Sequence, residues 1–205
     1  MATRLAFRFD QAACSGCKTC QAACKDRSAL PVGVLWRRVY EVAGGAWRRD
    51  GEAWRTDAFA FNLSLACNHC AEPVCAEVCP TLAIARDAAG IVRIDAARCL
   101  GCRYCAWACP YGAPQYDERT GTMTKCDLCA DELAAGRAPA CVAACPMRAL
   151  ELVEIDADAA APGAGTFPLP DPALTLPGLV VVPHRDAARA GRRTAGIANR
   201  EEVGP

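Results

Sequence analysis

The sequence Cys-Leu-Gly-Cys-Arg-Tyr-Cys-Ala-Trp-Ala-Cys-Pro, residues 99–110, decides the fold. Its cysteines follow the spacing C-x2-C-x2-C-x3-C-P, which suits an iron–sulfur cubane. Three thiolates on one tight loop can reach three irons of a [4Fe-4S] cluster. The fourth thiolate lies further along on a helical turn and ligates a different cluster. Runs of this kind therefore work in pairs, and the sequence should contain partner runs.

Sixteen cysteines occur among the 205 residues, and they form four groups of four. The groups are Cys14, Cys17, Cys20 and Cys24; Cys67, Cys70, Cys75 and Cys79; Cys99, Cys102, Cys105 and Cys109; and Cys126, Cys129, Cys141 and Cys145. The first and third groups have the spacing of bacterial ferredoxins, and a proline follows the last cysteine of the second, third and fourth groups. All sixteen cysteines are predicted to be iron ligands of four [4Fe-4S] clusters.

Three other uses of cysteine fit these spacings less well. Disulfides require Cα separations that three cysteines within seven residues suit poorly. All-cysteine zinc sites are the more serious alternative, since zinc knuckles also use C-x2-C pairs, but each tight run would leave a surplus thiolate. A single thioredoxin-like C-x-x-C pair is disfavoured by the number of cysteines. His69, between Cys67 and Cys70, is predicted not to be a ligand.

Charge and hydropathy narrow the function classes further. Lys plus Arg and Asp plus Glu are both 23, so the formal net charge is zero, which argues against a protein that mainly binds nucleic acid. No apolar run approaches the roughly 18 residues of a membrane helix. The N-terminus lacks the apolar core of a signal peptide. The sequence predicts a protein without a transmembrane segment or leader of its own, and export with a leader-bearing partner stays open.

The segments between the cysteine groups predict an α+β fold. The link from Cys79 to Cys99 is predicted to be a short helix, a strand, a turn at Gly90 and a return strand, as between the halves of a two-cluster ferredoxin. Residues 66–122 are therefore predicted to form one ferredoxin-like lobe that binds two clusters. Residues 1–30 and 123–156 form the second two-cluster lobe, into which the first is inserted. Spacing alone also permits pairing of group one with two and of three with four.

Residues 31–65 are predicted to be a small β-rich insert. Apolar residues alternate over Phe59–Leu65, and residues 34–42 are predicted to be another strand, followed by a turn at Gly44-Gly45. The insert contains Trp-Arg segments at residues 36–38, 47–49 and 54–55. Trp and Arg are enriched at protein–protein contacts, so a subunit contact is favoured over plain surface.

Residues 157–205 are predicted to be an extended Pro- and Ala-rich tail. This composition does not build a core of its own. The apolar segment Leu179–Val182 favours docking of the tail on another surface over disorder.

Three basic residues adjoin the cysteine runs. Lys18 and Arg103 each follow the second cysteine of a run, and Lys125 precedes Cys126. A cubane held by four thiolates is an anion, so these cations are candidates to stabilise it. The alternative is that they are ordinary solvated bases.

Several segments together point to one protein family. They are residues 14–20 (CSGCKTC), 37–41 (RRVYE), 43–45 (AGG), 67–70 (CNHC), 101–105 (GCRYC), 108–116 (ACPYGAPQY) and 123–127 (MTKCD). With them the sequence resembles the iron–sulfur subunit, or B subunit, of dimethyl sulfoxide reductase over nearly its whole length. Beyond residue 157 the match is only general in character.

The resemblance implies a nested ligand pattern. The four implied ligand sets are set 1, Cys14, Cys17, Cys20 and Cys145; set 2, Cys24, Cys126, Cys129 and Cys141; set 3, Cys67, Cys70, Cys75 and Cys109; and set 4, Cys79, Cys99, Cys102 and Cys105. Relatives of the nitrate reductase type have a tryptophan at the position of Cys102 and a cluster that lacks one iron. The cysteine here implies a complete cubane.

The resemblance also implies a function without catalysis by this protein. It implies electron transfer from an integral-membrane, quinol-oxidising anchor to a molybdopterin catalytic subunit in a heterotrimer, with set 4 toward the membrane and set 1 toward the molybdenum subunit. The implied location is the periplasmic face of the cytoplasmic membrane, reached by co-export. Related complexes reduce tetrathionate, polysulfide, thiosulfate or nitrite, or oxidise formate, so the acceptor stays open. The insert and the tail argue against a free-standing ferredoxin.

Overall fold

Short helices carry cysteines of every group or directly follow them, and strands lie between the groups, in a computed structural model that describes residues 2–191 and 193–203. The strands are β1 (Thr3–Asp10), β2 (Arg38–Gly44), β3 (Trp47–Asp50), β4 (Ala53–Thr56), β5 (Phe59–Leu65), β6 (Ile84–Arg86), β7 (Val92–Ile94), β8 (Gln115–Asp117), β9 (Thr122–Thr124), β10 (Leu150–Asp156), β11 (Leu179–Val182) and β12 (Ala195–Ile197). The helices are α1 (Thr19–Arg27), α2 (Val74–Glu77), α3 (Tyr104–Ala108), α4 (Ala130–Ala134), α5 (Ala140–Ala143) and α6 (Arg200–Val203). Met1, Arg192, Gly204 and Pro205, which belong to the predicted second lobe and tail, lie outside the described residues.

The first sheet has the strand order β10-β1-β11. Strand β1 buries Phe7 and Phe9 on one face, as its alternation predicts. It pairs antiparallel with β10 and parallel with β11, where Phe7 lies opposite Leu179. The segment Leu179–Val182 of the tail is thus an edge strand of this sheet.

The second sheet has the order β12-β2-β5, with all neighbours antiparallel. The predicted strand at residues 34–42 is wrong in its start, since β2 begins only at Arg38. The reason is local: the side-chain amide of Gln115 bonds both the N–H (2.7 Å) and the carbonyl of Leu35, which withdraws that peptide from strand pairing. Gly44 belongs to β2, and Gly45, with φ of 87°, makes the turn that follows.

Three hairpins, β3-β4, β6-β7 and β8-β9, complete the strands. All residues of β3 and β4 are exposed, so this hairpin projects from the body of the protein. The predicted helix directly after Cys79 is wrong, because helix α2 ends before that cysteine. Pro80 lacks an N–H, and the N–H of Ala83 donates to the Cys79 sulfur at 3.3 Å, so residues 80–83 form a turn.

The protein is therefore a small mixed α/β protein, in agreement with the predicted α+β class at that level. Helix α1 packs against α5, and α2 packs against α3. No helix among the described residues has the length and hydropathy needed to cross a membrane.

Candidate metal centres

A left-handed residue lies two positions after the first cysteine of every group. These residues are Gly16 (φ 72°), His69 (φ 42°), Gly101 (φ 66°) and Leu128 (φ 62°). In three groups this turn brings the N–H of the left-handed residue onto the cysteine sulfur: Gly16 to Cys14 at 3.4 Å, Gly101 to Cys99 at 3.5 Å and Leu128 to Cys126 at 3.4 Å. Such N–H donors stabilise negative charge on sulfur.

A second turn recurs after the last cysteine of groups two, three and four. In each, the N–H of an alanine four residues later donates to the sulfur: Ala83 to Cys79 at 3.3 Å, Ala113 to Cys109 at 3.5 Å and Ala149 to Cys145 at 3.3 Å. The three alanines are buried. The sequence pattern C-P-x-x-A marks all three turns, and sequence analysis missed it. Cys24, the last cysteine of group one, instead lies within α1.

In each ligand set, the pKa shift of one thiol shows which other thiols lie near it. The four thiols are those of Cys14, Cys24, Cys75 and Cys105. Burial is the largest cause of the raised pKa of each of these thiols, and the neighbouring thiols also raise it. The pKa is about 12 for Cys24 and Cys75 and about 11 for Cys105. These neighbours are Cys20, Cys145 and Cys17 around Cys14; Cys141 and Cys129 around Cys24; Cys67, Cys109 and Cys70 around Cys75; and Cys99, Cys102 and Cys79 around Cys105. Every one of these neighbours belongs to the same implied set.

Sets 1, 2 and 3 contribute cysteines to one buried core cluster, and the charges that shift thiol pKa values across sets indicate their order. The thiol of Cys141 in set 2 acts on that of Cys20 in set 1. The thiol of Cys67 in set 3 acts on that of Cys126 in set 2. Sets 1, 2 and 3 therefore follow one another.

Sets 3 and 4 meet in one buried cluster. Helix α2 carries Cys75 of set 3, helix α3 carries Cys105 of set 4, and both residues are part of this cluster. Cys17 in set 1 and Cys102 in set 4 are exposed, whereas the cysteines of sets 2 and 3 are buried or half-buried. The four sets form a series whose two ends reach the surface.

The donor chemistry fits [4Fe-4S] clusters. The donors are thiols, and six sulfurs accept a backbone N–H from the two recurring turns. Because buried thiols with raised pKa values hold their protons, metal must replace those protons on binding. Within the part of the protein that the structure describes, no three His, Cys, Asp or Glu side chains converge as they would around a single metal ion.

Of the three predicted cations, only Lys125 is buried. Its Nζ donates to the carbonyls of Val92 and, at 3.1 Å, Cys126, and its charge opposes the rise in the pKa of Cys75. Lys18 forms an ion pair with Glu202 of the tail. Arg103 lies over the ring of Tyr116, 4.0 Å from its centroid.

His69 is buried and makes a structural hydrogen bond. Its Nδ1 accepts the N–H of Val92 at 3.1 Å. Burial lowers the pKa of His69 well below its usual value, so the imidazole is neutral. That His69 does not ligate a cluster remains a prediction.

The two arginines of the segment at residues 36–38 are not on the surface, contrary to both interpretations offered for them. Arg37 and Arg38 are 1% and 3% exposed. Ser64 binds the Arg37 guanidinium, and the carbonyls of Tyr111 and Gly112 bind that of Arg38. The sequence carries no signal for this burial, because arginine is normally exposed.

Comparisons with known proteins agree with the metal chemistry. The family model described as 4Fe-4S dicluster domain matches residues 58–155. The sequence is 46% identical to the B subunit of the anaerobic dimethyl sulfoxide reductase of Escherichia coli (strain K12), over 99% of this protein and 100% of the relative. It is 46% identical to the B subunit of the Haemophilus influenzae reductase, over 96% and 98%. It is 40% identical to the thiosulfate reductase electron transfer subunit PhsB of Salmonella typhi, over 72% and 74%.

Proposed function

Because this protein belongs to the family of anaerobic dimethyl sulfoxide reductase B subunits, we propose that it is the electron-transfer subunit of such a reductase. It carries [4Fe-4S] clusters and has no catalytic role of its own. The observation that carries the proposal is the series of cysteine sets, buried in the middle and exposed at both ends, at Cys17 and Cys102. Such a series suits a path along which single electrons move between two partners.

We propose four clusters, one on each ligand set. The agreement between each set and the thiols that act on one another supports this assignment. The packing of α1 on α5 and of α2 on α3 supports the nested lobes, because the first pair carries cysteines of groups one and four and the second pair those of groups two and three.

The two exposed ends suggest where the partners bind. We assign set 1 to a molybdopterin catalytic subunit and set 4 to a quinol-oxidising membrane anchor, in a heterotrimer on the periplasmic face of the cytoplasmic membrane. Co-export with a leader-bearing partner completes this proposal. When bound, the clusters supply the redox chemistry. The protein's own residues hold them, exclude water and donate N–H groups to sulfur.

The test is to purify the protein with its partners without oxygen and to count metals. Four cubanes give about sixteen irons and sixteen sulfides per protein molecule, since each holds four irons and four sulfides. Replacement of Cys102 by serine should remove up to four irons, those of the set 4 cluster. The other three clusters should remain, because set 4 lies at one end of the series. A count of two to four zincs without sulfide would identify a zinc-stapled module instead. About twelve irons would mean that one set is empty. Set 2 is the first candidate, because three of its cysteines come from group four with its long gap.

The catalytic partner decides the acceptor. Thiosulfate reductase and formate dehydrogenase iron–sulfur subunits are also similar to this protein, at 40% and 36% identity, though over only 72% of it. The full-length similarity favours the dimethyl sulfoxide reductase role. Reduction of dimethyl sulfoxide, but not thiosulfate, by the co-purified complex would support it.

A further inference from the structure

Arg37 is a buried cation without a carboxylate partner among the described residues. Its Nη1 donates to the hydroxyl (3.1 Å) and the carbonyl (3.4 Å) of Ser64. Its guanidinium lies over the ring of Phe7, 4.3 Å from the centroid. Its Nε and Nη2 are also buried, and neither has an acceptor within the described part of the protein. An unpaired buried charge is costly, so a negative charge must lie close by.

The negative charge comes from cysteines of two ligand sets. Burial alone lowers the pKa of Arg37, yet its pKa is raised by nearby cysteine sulfurs, which become negative once a cluster replaces their protons. These are Cys141, Cys20, Cys126 and Cys24, of which Cys20 belongs to set 1 and the others to set 2. The Ser64 hydroxyl also lies 3.3 Å from the Cys20 sulfur, so one hydroxyl links the guanidinium to set 1.

We propose that Arg37 is a shared positioning charge that raises the reduction potentials of the clusters on sets 1 and 2. This inference rests on the proposed function, because it requires a cluster on each set. Reduction adds one electron to an already anionic cluster, so a fixed cation stabilises the reduced form more than the oxidised form. One guanidinium near both sets therefore makes both clusters easier to reduce. We assign cluster or cysteine sulfur as the acceptor of its unpaired Nε and Nη2 groups.

The next residue provides a matched control. Arg38 is also buried, but its Nη2 donates to the carbonyls of Tyr111 and Gly112, each at 2.8 Å. Burial raises the pKa of Cys109, which belongs to set 3, and the charge of Arg38 opposes that rise. Arg37 and Arg38 thus have the same chemistry, adjacent positions and similar burial, and act on different sets.

The experiment compares Arg37→Gln, Arg37→Lys and Arg38→Gln in the full-length protein, purified anaerobically with its partners. Redox titration followed by electron paramagnetic resonance gives each midpoint potential, with signals assigned through one Cys→Ser variant per set. Arg37→Gln should lower the equilibrium constant for reduction of the set 1 and set 2 clusters at least tenfold, or about 59 mV for one electron. Set 4 should stay within threefold of the parent. Arg37→Lys should preserve the potentials, and Arg38→Gln should shift set 3 instead.

Iron counts separate the possible failures. Loss of iron from sets 1 and 2 in Arg37→Gln, with Arg37→Lys intact, also supports the proposal, because the charge is then required for loading. Full iron with unchanged potentials in Arg37→Gln would overturn it. Equal damage in the Gln and Lys variants would overturn it as well, since the role would be packing. A parent protein that holds zinc and no sulfide would refute the proposed function itself, independently of Arg37.

Discussion

Gly101 shows how strictly a single residue shapes a cluster loop. Its φ is 66°, and a Cβ at this position would lie 2.2 Å from the carbonyl oxygen of Gly121. Because that oxygen belongs to the backbone, it cannot move aside as a flexible side chain would. Gly101→Ala is therefore expected to destabilise the protein by roughly 2–4 kcal/mol, from the left-handed backbone and the forced contact together. Chemical denaturation measures this cost, and iron analysis should show a loss of up to four irons.

Gly33 is the control for Gly101. Its φ is 86°, and nothing lies within 4 Å of a Cβ built there. Gly33→Ala therefore carries the conformational cost alone, about 1–2 kcal/mol. Iron content should be unchanged. If both variants lost the same stability and neither lost iron, the contact with Gly121 would have no importance for the loop.

Sequence predicts some functional residues and not others, for identifiable reasons. Ligand candidates follow from spacing, because the reach of a tight loop is fixed by the number of residues in it. The left-handed turns at Gly16 and Gly101 are suggested by glycine, but those at His69 and Leu128 are not, since such residues rarely adopt positive φ. The burial of Arg37 depends on strands that the sequence places far apart.

Strand β1 is tied to the tail by one side chain, that of Arg4. The guanidinium is buried and donates to four carbonyls, of Ala157 (3.0 Å), His69 (3.2 Å), Ala159 (3.3 Å) and Leu176 (2.8 Å). Arg4→Ala leaves these acceptors without their donor, and we expect a loss of about 3 kcal/mol or more. Arg4→Lys, which has three donors and no planar fork, should lie between the parent and Arg4→Ala. Limited proteolysis should show faster cleavage of residues 157–178 in both variants.

Arg8, on the same strand, is the matched control for Arg4. It forms an exposed ion pair with Glu151 at 3.0 Å. Arg8→Ala is expected to cost less than about 1 kcal/mol and to leave proteolysis of the tail unchanged. Equal effects of the two alanine variants would show that the carbonyl contacts of Arg4 contribute little.

Elements were predictable where a pattern is local. The alternation over Phe59–Leu65 places Phe61, Leu63 and Leu65 on a buried face, so β5 could be predicted, although Ser64 on the other face is buried as well. The parallel pairing of β11 with β1 joins residues more than 170 positions apart, such as Phe7 and Leu179, and no local pattern selects that partner. The predicted helix after Cys79 is wrong because a sulfur atom, not a helical carbonyl, accepts the N–H of Ala83.

At the scale of the whole molecule, the second sheet leads from the cluster series to an exposed hairpin. Along β5, the Ser64 hydroxyl lies 3.3 Å from the Cys20 sulfur, and Asn62 Nδ2 lies 3.5 Å from the Cys14 carbonyl. Both cysteines belong to set 1. The hairpin of β3 and β4 connects the end of β2 at Gly44 to the start of β5 at Phe59, three residues before Asn62. This position, which the sequence alone could not give, relates the Trp-Arg segments of the hairpin to one end of the series.

The hairpin presents an aromatic face suited to a partner at set 1. Trp47 and Trp54 are each 64% exposed, and the pairing of Arg49 with Trp54 places both indoles and that arginine on one face. A double variant, Trp47→Ser with Trp54→Ser, should change stability by less than about 0.5 kcal/mol, because neither ring is packed in the core. Its iron count should equal that of the parent, while the catalytic subunit should be lost from the anaerobically purified complex and the anchor retained.

Trp107 allows the reciprocal test at the other end of the series. It is 76% exposed and lies on α3, the helix that also carries Cys105 of set 4. Trp107→Ser should weaken retention of the membrane anchor and leave the catalytic subunit bound, because an exposed indole at a contact contributes mainly to the partner that covers it. Quantifying each subunit per iron in both variants separates the two surfaces. Retention of both partners by the hairpin variant would show that β3 and β4 are plain surface, whereas loss of both partners in either variant would indicate a general defect in assembly.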